Sequence, residues 1–169
     1  MEHNVFIGLG TNLGDREAML RGAVTALREA SAIELTAFSS IYESNPLSGG
    51  PLDQPCFLNA VVALQTSMEP RALLNILKGI EMRFGRTASA VRWASRTLDL
   101  DILAYDELIT DSPELTLPHP ELHRRDFVLR PLSEVAPKEW RHPILQKSVG
   151  ELLAEIVNPT HLRPFSTFP

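Results

Sequence analysis

The alternation of apolar and polar positions along the chain predicts four strands separated by two helical stretches. Short apolar runs bounded by turn-forming residues are typical of strands that lie inside a sheet. Such runs occupy residues 5–9, 33–42, 57–64 and 98–105, and the second of them has only an imperfect alternation. We therefore expect a sheet whose strands are mostly buried.

Two longer stretches carry apolar residues at helical spacing. The first follows the N-cap residue Asp15 and ends near Ala30, and the second opens at Glu69-Pro70 and stops at Gly85. Their apolar stripes are Met19, Leu20, Ala23, Val24 and Leu27 in the first helix and Leu73, Leu74, Leu77, Ile80 and Phe84 in the second. Each predicted helix therefore has one face suited to packing on a sheet.

The order of these elements predicts the fold class. Strands and helices follow one another as β-α-β-β-α-β, which is the ferredoxin-like plan of an α+β protein, with two helices on one face of an antiparallel sheet. Adjacent strands argue against a doubly wound parallel sheet. Short helices are expected at 127–135 and 149–156, whereas 158–169 has three prolines and no periodicity and is predicted to be an irregular tail. Without a repeat or a linker, residues 1–169 are expected to form a single domain.

Glycines follow the first predicted strand, in the stretch from Gly8 to Gly14. A glycine-rich connection between a strand and a helix also occurs in dinucleotide-binding proteins. Here, however, the spacing is G-x-G-x-x-x-G, and the elements that follow do not form a parallel repeat. A tight strand-to-helix turn that needs small residues is therefore the preferred interpretation.

Charge and composition narrow the classes of function. The formal net charge of −5 disfavours a broad nucleic-acid surface, while basic clusters at 83–96 and 124–130 suit a small anionic ligand. Cys56 is the only cysteine, which excludes an internal disulfide and a cysteine-rich zinc site. The first residues lack the pattern of a signal peptide, and no apolar run reaches the roughly 18 residues of a membrane span, so a cytoplasmic location is expected.

The most informative segment is 92–103, where two arginines and a tryptophan precede Asp99-Leu100-Asp101. On a strand, Asp99 and Asp101 face the same side. Paired carboxylates suit Mg²⁺, which completes its coordination with water and substrate phosphates, and arginines are forked donors for phosphate oxygens. An Asp-x-Asp pair at a strand end also caps turns or simply faces water. The nearby Arg92 and Arg96 shift the balance towards phosphoryl transfer.

A collinear set of motifs runs through residues 4–135. They are Gly8-x-Gly-Thr-Asn-Leu-Gly, Tyr42-x-Ser-x-Pro-Leu, Gln54-Pro-x-Phe-Leu-Asn-Ala, Ile80-Glu-x-x-x-Gly-Arg, Arg92-Trp-x-x-Arg-Thr-Leu-Asp-Leu-Asp-Ile, Leu117-Pro-His-Pro and Arg125-x-Phe-Val-Leu-x-Pro-Leu. In this order the motifs resemble those of the 6-hydroxymethyl-7,8-dihydropterin pyrophosphokinases of folate biosynthesis. The resemblance implies Mg²⁺-dependent transfer of a diphosphate group from ATP to the hydroxymethyl oxygen of the pterin, with release of AMP.

The same resemblance implies roles for individual residues. Asp99 and Asp101 match ligands of two Mg²⁺ ions, and Arg86, Arg92 and Arg96 match catalytic positions near the phosphates, the first two on a loop that closes over the site. The positions that match ATP contacts are Lys78, Glu81, Trp93, Arg96, Ile102, Thr116, His119 and Arg125. The positions that match pterin contacts are Ser44, Pro46, Leu47, Phe57, Asn59, Trp93, Asp99 and Phe127.

Taken singly, most of these residues have a purely structural alternative. Phe57 and Phe127 also suit a hydrophobic core, and Asn59 also suits a buried amide with satisfied hydrogen bonds. Only their joint order along the chain favours a binding site. One departure from the family is Ala88, which stands where some members carry a further phosphate-contacting arginine.

Two other classes of function remain as alternatives. A two-metal nuclease or nucleotidyltransferase also uses an Asp-x-Asp strand, but such enzymes usually have more carboxylates around the metals. A non-catalytic nucleotide-binding module would keep the pocket and lose turnover. The pyrophosphokinase hypothesis ranks first, with ATP and a pterin as small-molecule substrates, no nucleic-acid or membrane partner, and a monomer or weak homo-oligomer as the expected state.

Overall fold

A six-stranded antiparallel sheet forms the centre of the protein in the computed structural model, which describes residues 1–47, 54–85 and 98–169. The strands, in chain order, are β1 (His3–Thr11), β2 (Ile33–Phe38), β3 (Ser40–Ser44), β4 (Phe57–Thr66), β5 (Asp99–Tyr105), β6 (Thr110–Asp111), β7 (Thr116–Leu117) and β8 (Arg163–Thr167), of which β6 and β7 form a separate pair. The helices are α1 (Arg16–Glu29), α2 (Pro70–Arg83), α3 (Asp126–Val135) and α4 (Val149–Ala154), with a 3-10 turn at Leu122–Arg124. Among the helices of these described ranges, none is long and apolar enough to cross a membrane.

The strand order confirms the ferredoxin-like prediction. β1 lies between β5 and β4, and both β2 and β3 pair with β4. α1 and α2 pack their apolar stripes, including Leu27 and Leu77, on one face of this sheet. Asp15 caps α1 by accepting a hydrogen bond from the Ala18 N–H, and Gly85 follows α2 with a φ of 89°. These two predicted helix boundaries are therefore confirmed.

The prediction of one strand over 33–42 is wrong, because Ser39 divides this stretch into β2 and β3. The Ser39 N–H donates to the Val61 carbonyl, and the Ser39 Oγ accepts from the Val61 N–H, each at 2.9 Å. A side-chain oxygen thus takes the place of a backbone carbonyl in the ladder. The pairing with β4 is interrupted there and resumes at Tyr42.

The opposite face of the sheet is covered as well. α3 and α4 bury Leu129, Leu132 and Leu152 in a second apolar core with Phe6 and Leu103 from the sheet. The predicted plan placed helices on one face only, so this layer extends it. The short helices expected near 127–135 and 149–156 supply the extra layer.

The C-terminal segment 158–169 was expected to be irregular, and this prediction is wrong because it contains β8. This strand pairs with β3 at one end of the sheet, with Ile41 opposite Ser166 and a register shift before Tyr42, which lies opposite Pro164. Prolines are tolerated on edge strands and at bulges. Most side chains of β8 are exposed, so its sequence needs no apolar alternation.

Candidate active site

A cavity of about 250 Å³ opens on the sheet face opposite α1 and α2, beside the start of α3. Its lining contains these predicted site residues: Ser44, Leu47, Phe57, Asn59, Asp99, Asp101, His119, Arg125 and Phe127. It also contains residues that the sequence analysis did not assign to the site, among them Gly8, Gly10, Asn45, Gln54, Leu103 and Val128. The fold therefore brings most of the predicted residues into one place.

Glycines of β1 form the floor of this cavity. Gly10 lies opposite Asn59 of β4 on one side and Asp99 of β5 on the other, and Gly8 lies opposite Asp101. A Cβ atom at Gly10 would lie 3.5 Å from the Asn59 Oδ1, so an added methyl group would occupy the floor between these polar groups. The interpretation of these glycines as a turn is wrong for Gly8 and Gly10; only Gly14 lies beyond the strand with a positive φ, at 71°.

Asp99 and Asp101 line the cavity together, whereas Leu100 and Ile102 are buried in the core beneath α1 and α2. This is the two-residue alternation of a strand. The residues directly opposite the aspartates on β1 are Gly8 and Gly10, so these two positions place no side chain over the carboxylates. They are left facing the same space.

His119 lies next to the aspartate pair, with 3.9 Å between its Nε2 and the Asp101 Oδ2. The imidazole Nδ1 accepts a hydrogen bond from the Glu121 N–H at 3.1 Å, so the neutral ring carries its proton on Nε2. Burial, together with the Arg125 charge, lowers the pKa of His119 to about 4, although Asp99 and Glu121 oppose the shift. At neutral pH this ring is an uncharged N–H donor beside the carboxylates.

Asn59 has its amide orientation set by a neighbour. Its Nδ2 donates to the Ser44 Oγ at 2.8 Å across the β3–β4 pair, and both residues are buried. This contact directs the Oδ1 towards Gly10 and the cavity floor. The side chain therefore offers a fixed acceptor to a ligand that lies on the floor.

Two aromatic rings line the cavity from different elements. Phe57 begins β4, and Phe127 lies in the first turn of α3. The guanidinium carbon of Arg125 lies 5.7 Å from the centroid of the Phe127 ring. A flat apolar surface and a cation are thus combined at the end of the cavity where α3 begins.

The family model that matches this chain is 7,8-dihydro-6-hydroxymethylpterin-pyrophosphokinase, over residues 6–137. The chain belongs to this family. It is 44% identical over 135 residues to the 2-amino-4-hydroxy-6-hydroxymethyldihydropteridine pyrophosphokinase of Bacillus subtilis, a match that covers 80% of this chain and 79% of that protein. It is 42% identical over 137 residues to the protein of the same name from Pseudomonas aeruginosa, covering 81% of this chain and 83% of the relative.

Solved structures of HPPK-DHPS chains share the fold. One in complex with substrates has a TM-score of 0.70 at 15% identity, covering 91% of this chain and 43% of that chain. The wild-type Plasmodium falciparum HPPK-DHPS with pteroate gives 0.70 at 16% identity, covering 92% of this chain and 42% of that one. This chain spans less than half of either structure's chain, and at these identities the likeness concerns the fold alone.

Several residues that match family positions lie outside the cavity. Glu81 is buried, and its Oε1 accepts from the Leu100 N–H at 2.7 Å; Ile102 is buried on the core face of β5. Lys78 is exposed on α2, Pro46 is half-buried beside Leu47, and the Thr116 hydroxyl donates to the Asp111 Oδ1 at 3.0 Å. Their assigned roles stay predictions. Arg86, Ala88, Arg92, Trp93 and Arg96 lie outside the described residues.

The donor set in the cavity suits a particular kind of metal ion. Within residues 1–47, 54–85 and 98–169, no three His, Cys, Asp or Glu side chains cluster as a metal site. Mg²⁺ usually takes only one or two carboxylates and fills its other positions with water and substrate phosphates. Asp99 and Asp101 on one face fit that requirement. They suit zinc poorly, because zinc prefers nitrogen and sulfur ligands.

Proposed function

We propose that this protein transfers a diphosphate group from ATP to the hydroxymethyl oxygen of 6-hydroxymethyl-7,8-dihydropterin, releasing AMP, as a step of folate biosynthesis. The observation that carries the proposal is the joint presence of Asp99, Asp101, Asn59 and two phenylalanines around one cavity. A carboxylate pair that suits Mg²⁺ thus lines the same cavity as two aromatic rings and a fixed amide acceptor. Membership of the pyrophosphokinase family supports the same reaction.

In this proposal the pterin occupies the slot between the Phe57 and Phe127 rings. Stacking on each ring contributes on the order of 1 kcal/mol beyond the area that is buried. The Asn59 Oδ1 accepts from an N–H of the pterin, and the hydrogen bond to Ser44 holds the amide in that orientation. Gly10 leaves the floor beside the Asn59 Oδ1 open, so that an edge of the stacked ring can approach β1.

The phosphates of ATP then lie on the Asp99 and Asp101 side of the cavity. These carboxylates would hold two Mg²⁺ ions, which supply positive charge that neutralises the phosphate oxygens. His119 donates from Nε2, and Arg125 adds a charged donor. The hydroxymethyl oxygen of the pterin forms a bond to the β-phosphorus and loses its proton. The bond between the β-phosphorus and the oxygen that it shares with the α-phosphorus breaks, and this shared oxygen leaves as part of AMP.

The arginine-rich segment completes the site in this proposal. Arg86, Arg92 and Arg96 bind the phosphates, and Trp93 contacts both substrates as the site closes and excludes water. The family resemblance also assigns nucleotide contacts to Lys78, Glu81, Ile102 and Thr116, and because these residues lie outside the cavity, those contacts stay predictions. We propose a monomer or weak homo-oligomer in the cytoplasm that works on small molecules without a nucleic-acid partner.

Product analysis tests the reaction. The protein is mixed with ATP, Mg²⁺ and 6-hydroxymethyl-7,8-dihydropterin, and the nucleotides and pterins are separated and quantified. We expect AMP and a diphosphorylated pterin in equal amounts. ADP would mean that a single phosphate is transferred, and bound ATP without any product would indicate a non-catalytic nucleotide-binding module.

A further inference from the structure

Thr160 connects the two walls of the cavity. It lies in the C-terminal segment, beyond residue 137, where the match to the family model ends. Its carbonyl accepts a hydrogen bond from the Asn45 N–H at 2.9 Å, and Asn45 belongs to the wall formed by the end of β3. Its own N–H and hydroxyl both donate to Asp126, which begins α3.

Asp126 is the receiving group on the other wall. Its Oδ2 accepts from the Thr160 N–H at 2.7 Å, and its Oδ1 accepts from the Thr160 hydroxyl at 2.8 Å and from the Phe127 N–H at 2.9 Å. Asp126 and Thr160 are each only 7% exposed. Hydrogen bonds to a buried carboxylate are stronger than those between neutral groups, and losing one is costly because the charge stays buried.

The opposite end of α3 has its own attachment to the sheet. Glu134 accepts from the Ser40 N–H at 2.7 Å and from the Tyr42 hydroxyl. The helix is therefore tied to β3 near its C-terminal end by Glu134 and near its N-terminal end through Thr160. The tie through Thr160 is the one next to an aromatic ring of the cavity, because its acceptor Asp126 directly precedes Phe127.

Two arginines, one of them from β8, hold the wall that contains Phe57. Arg163 of β8 donates to the Glu43 Oε1 at 2.9 Å, and Arg16 donates to the Glu43 Oε2 at 2.8 Å and to the Cys56 carbonyl at 2.7 Å. Cys56 directly precedes Phe57. Both phenylalanines are thus preceded by a residue that is held by side chains from outside the cavity.

From these contacts we infer that Thr160 and Asp126 are positioning residues that set the separation of the Phe57 and Phe127 walls, and so the affinity for the pterin ring. The inference rests on the proposed function, because it concerns the pterin slot. Neither residue lines the cavity, so neither touches the substrate directly. The pair acts through Asn45 and Phe127.

The test compares pterin binding in Thr160→Val and Thr160→Ser with that of the unmodified protein. Binding of 6-hydroxymethyl-7,8-dihydropterin is followed by the fluorescence of the pterin itself, with a non-hydrolysable ATP analogue present. Valine removes one hydrogen bond to a buried carboxylate, so we expect the pterin Kd to rise about tenfold. We expect the Kd of the ATP analogue to stay within about twofold, and serine to restore pterin binding because it keeps the hydroxyl. Asp126→Asn is a second variant with the same expected direction, since an amide offers one acceptor oxygen in place of two.

Thr66→Val is the matched control. Thr66 is fully buried at the end of β4 away from Phe57, and its hydroxyl donates to the Ala32 carbonyl at 2.6 Å and accepts from the Met68 N–H at 3.1 Å. Valine at Thr66 removes both of these hydrogen bonds, so the control loses at least as many as Thr160→Val and should still bind the pterin like the unmodified protein. An unchanged pterin Kd in folded Thr160→Val and Asp126→Asn would overturn the inference. So would an equal rise of the pterin Kd in Thr66→Val, or an equal rise of the Kd for the ATP analogue in the Thr160 and Asp126 variants. The proposed function fails in a different way, namely when the unmodified protein neither binds the pterin nor releases AMP.

Discussion

The carboxylate of Glu81 accepts a hydrogen bond from the backbone N–H of Leu100, with 2.7 Å between Oε1 and the nitrogen. Leu100 lies between Asp99 and Asp101 on β5, the last strand at its end of the sheet. A strand at the end of a sheet presents backbone donors that need a partner from another element. Glu81 is buried on α2, on the core side of β5. It therefore fixes the backbone between the two aspartates from the side opposite the cavity.

Glu81→Ala should destabilise the protein and lower kcat. Leaving the buried Leu100 N–H without its acceptor costs about 1–3 kcal/mol of unfolding free energy. Glu81→Gln keeps an oxygen at this position and should retain most of the stability and activity. Urea unfolding and steady-state kinetics of both variants measure these effects. A rise in the KM for ATP that is equal in the two variants would instead indicate that the Glu81 charge contacts the nucleotide, as the family resemblance implies.

Asp99→Ala and Asp101→Ala should nearly abolish turnover while the protein stays folded. Each removes a proposed metal ligand, and the loss should exceed the roughly 10–100-fold that is typical when only a supporting residue is changed. Activity as a function of Mg²⁺ concentration, with thermal unfolding alongside, measures the effect. Glu107→Gln, an exposed carboxylate just beyond β5, is the control and should be unaffected. Full activity in either aspartate variant would refute the metal assignment.

Local periodicity predicted those parts of the site that depend on a single element. The two-residue alternation of β5 predicted that Asp99 and Asp101 share a face, and the cavity contains both. The glycine stretch was assigned to a turn, because small residues suit a tight connection between a strand and a helix. The two-residue spacing of Gly8 and Gly10, which places both on one face of a strand, is the signal that would have indicated the floor of a site.

Features that depend on distant pairs were not predictable from local patterns. Thr160 and Asp126 are separated by 34 positions in the sequence, and nothing near either residue specifies the other. β8 is an exposed edge strand, so it lacks the apolar alternation by which a strand is recognised. The division at Ser39 depends on a side-chain hydrogen bond to Val61, which a hydrophobic pattern does not encode.

Gly10→Ala should weaken pterin binding without unfolding the protein. The added Cβ would lie 3.5 Å from the Asn59 Oδ1, an ordinary contact distance, and Gly10 is not one of the glycines with positive φ. The methyl group would nevertheless occupy the part of the floor that the proposal leaves open for the pterin. We expect the pterin KM to rise by about tenfold or more, since overpacking of a close-fitting site typically costs 1–3 kcal/mol.

Gly79→Ala is the matched glycine control for this prediction. Gly79 lies on the exposed side of α2, and nothing is within 4 Å of the position of its Cβ. Alanine there should raise the unfolding free energy by about 0.5–1 kcal/mol through helix propensity and leave the kinetics unchanged. Unchanged pterin binding in Gly10→Ala would contradict the position assigned to the ring.

Phe127→Ala should weaken pterin binding more than ATP binding. The variant loses a stacking surface, so we expect the pterin Kd to rise at least about tenfold while the ATP Kd changes little. Calorimetric titration with each ligand makes the comparison. Ile109→Ala removes an exposed apolar side chain outside the cavity and should bind both ligands normally. Equal losses for pterin and ATP in Phe127→Ala would refute the proposed division of the cavity.

His142 should make the protein less stable in mild acid. Its ring is 3% exposed, and its Nε2 has no hydrogen-bond partner within the described ranges, while its Nδ1 accepts from the backbone N–H groups of Ile144 and Leu145. Burial lowers the pKa of His142, and the charge of His123 lowers it further. The unfolded chain therefore binds a proton first as the pH falls below about 6.5, and folding stability decreases from that pH downward.

His142→Asn isolates this contribution. The asparagine oxygen replaces Nδ1 as the acceptor for the two backbone N–H groups, and the titrating ring is gone. Urea unfolding at pH 7.5, 6.5 and 5.5 should show a smaller loss of stability in the variant than in the unmodified protein. His119, whose pKa burial also lowers, contributes to both proteins and cancels in the difference. Parallel stability curves over this range would show that His142 is not the group responsible.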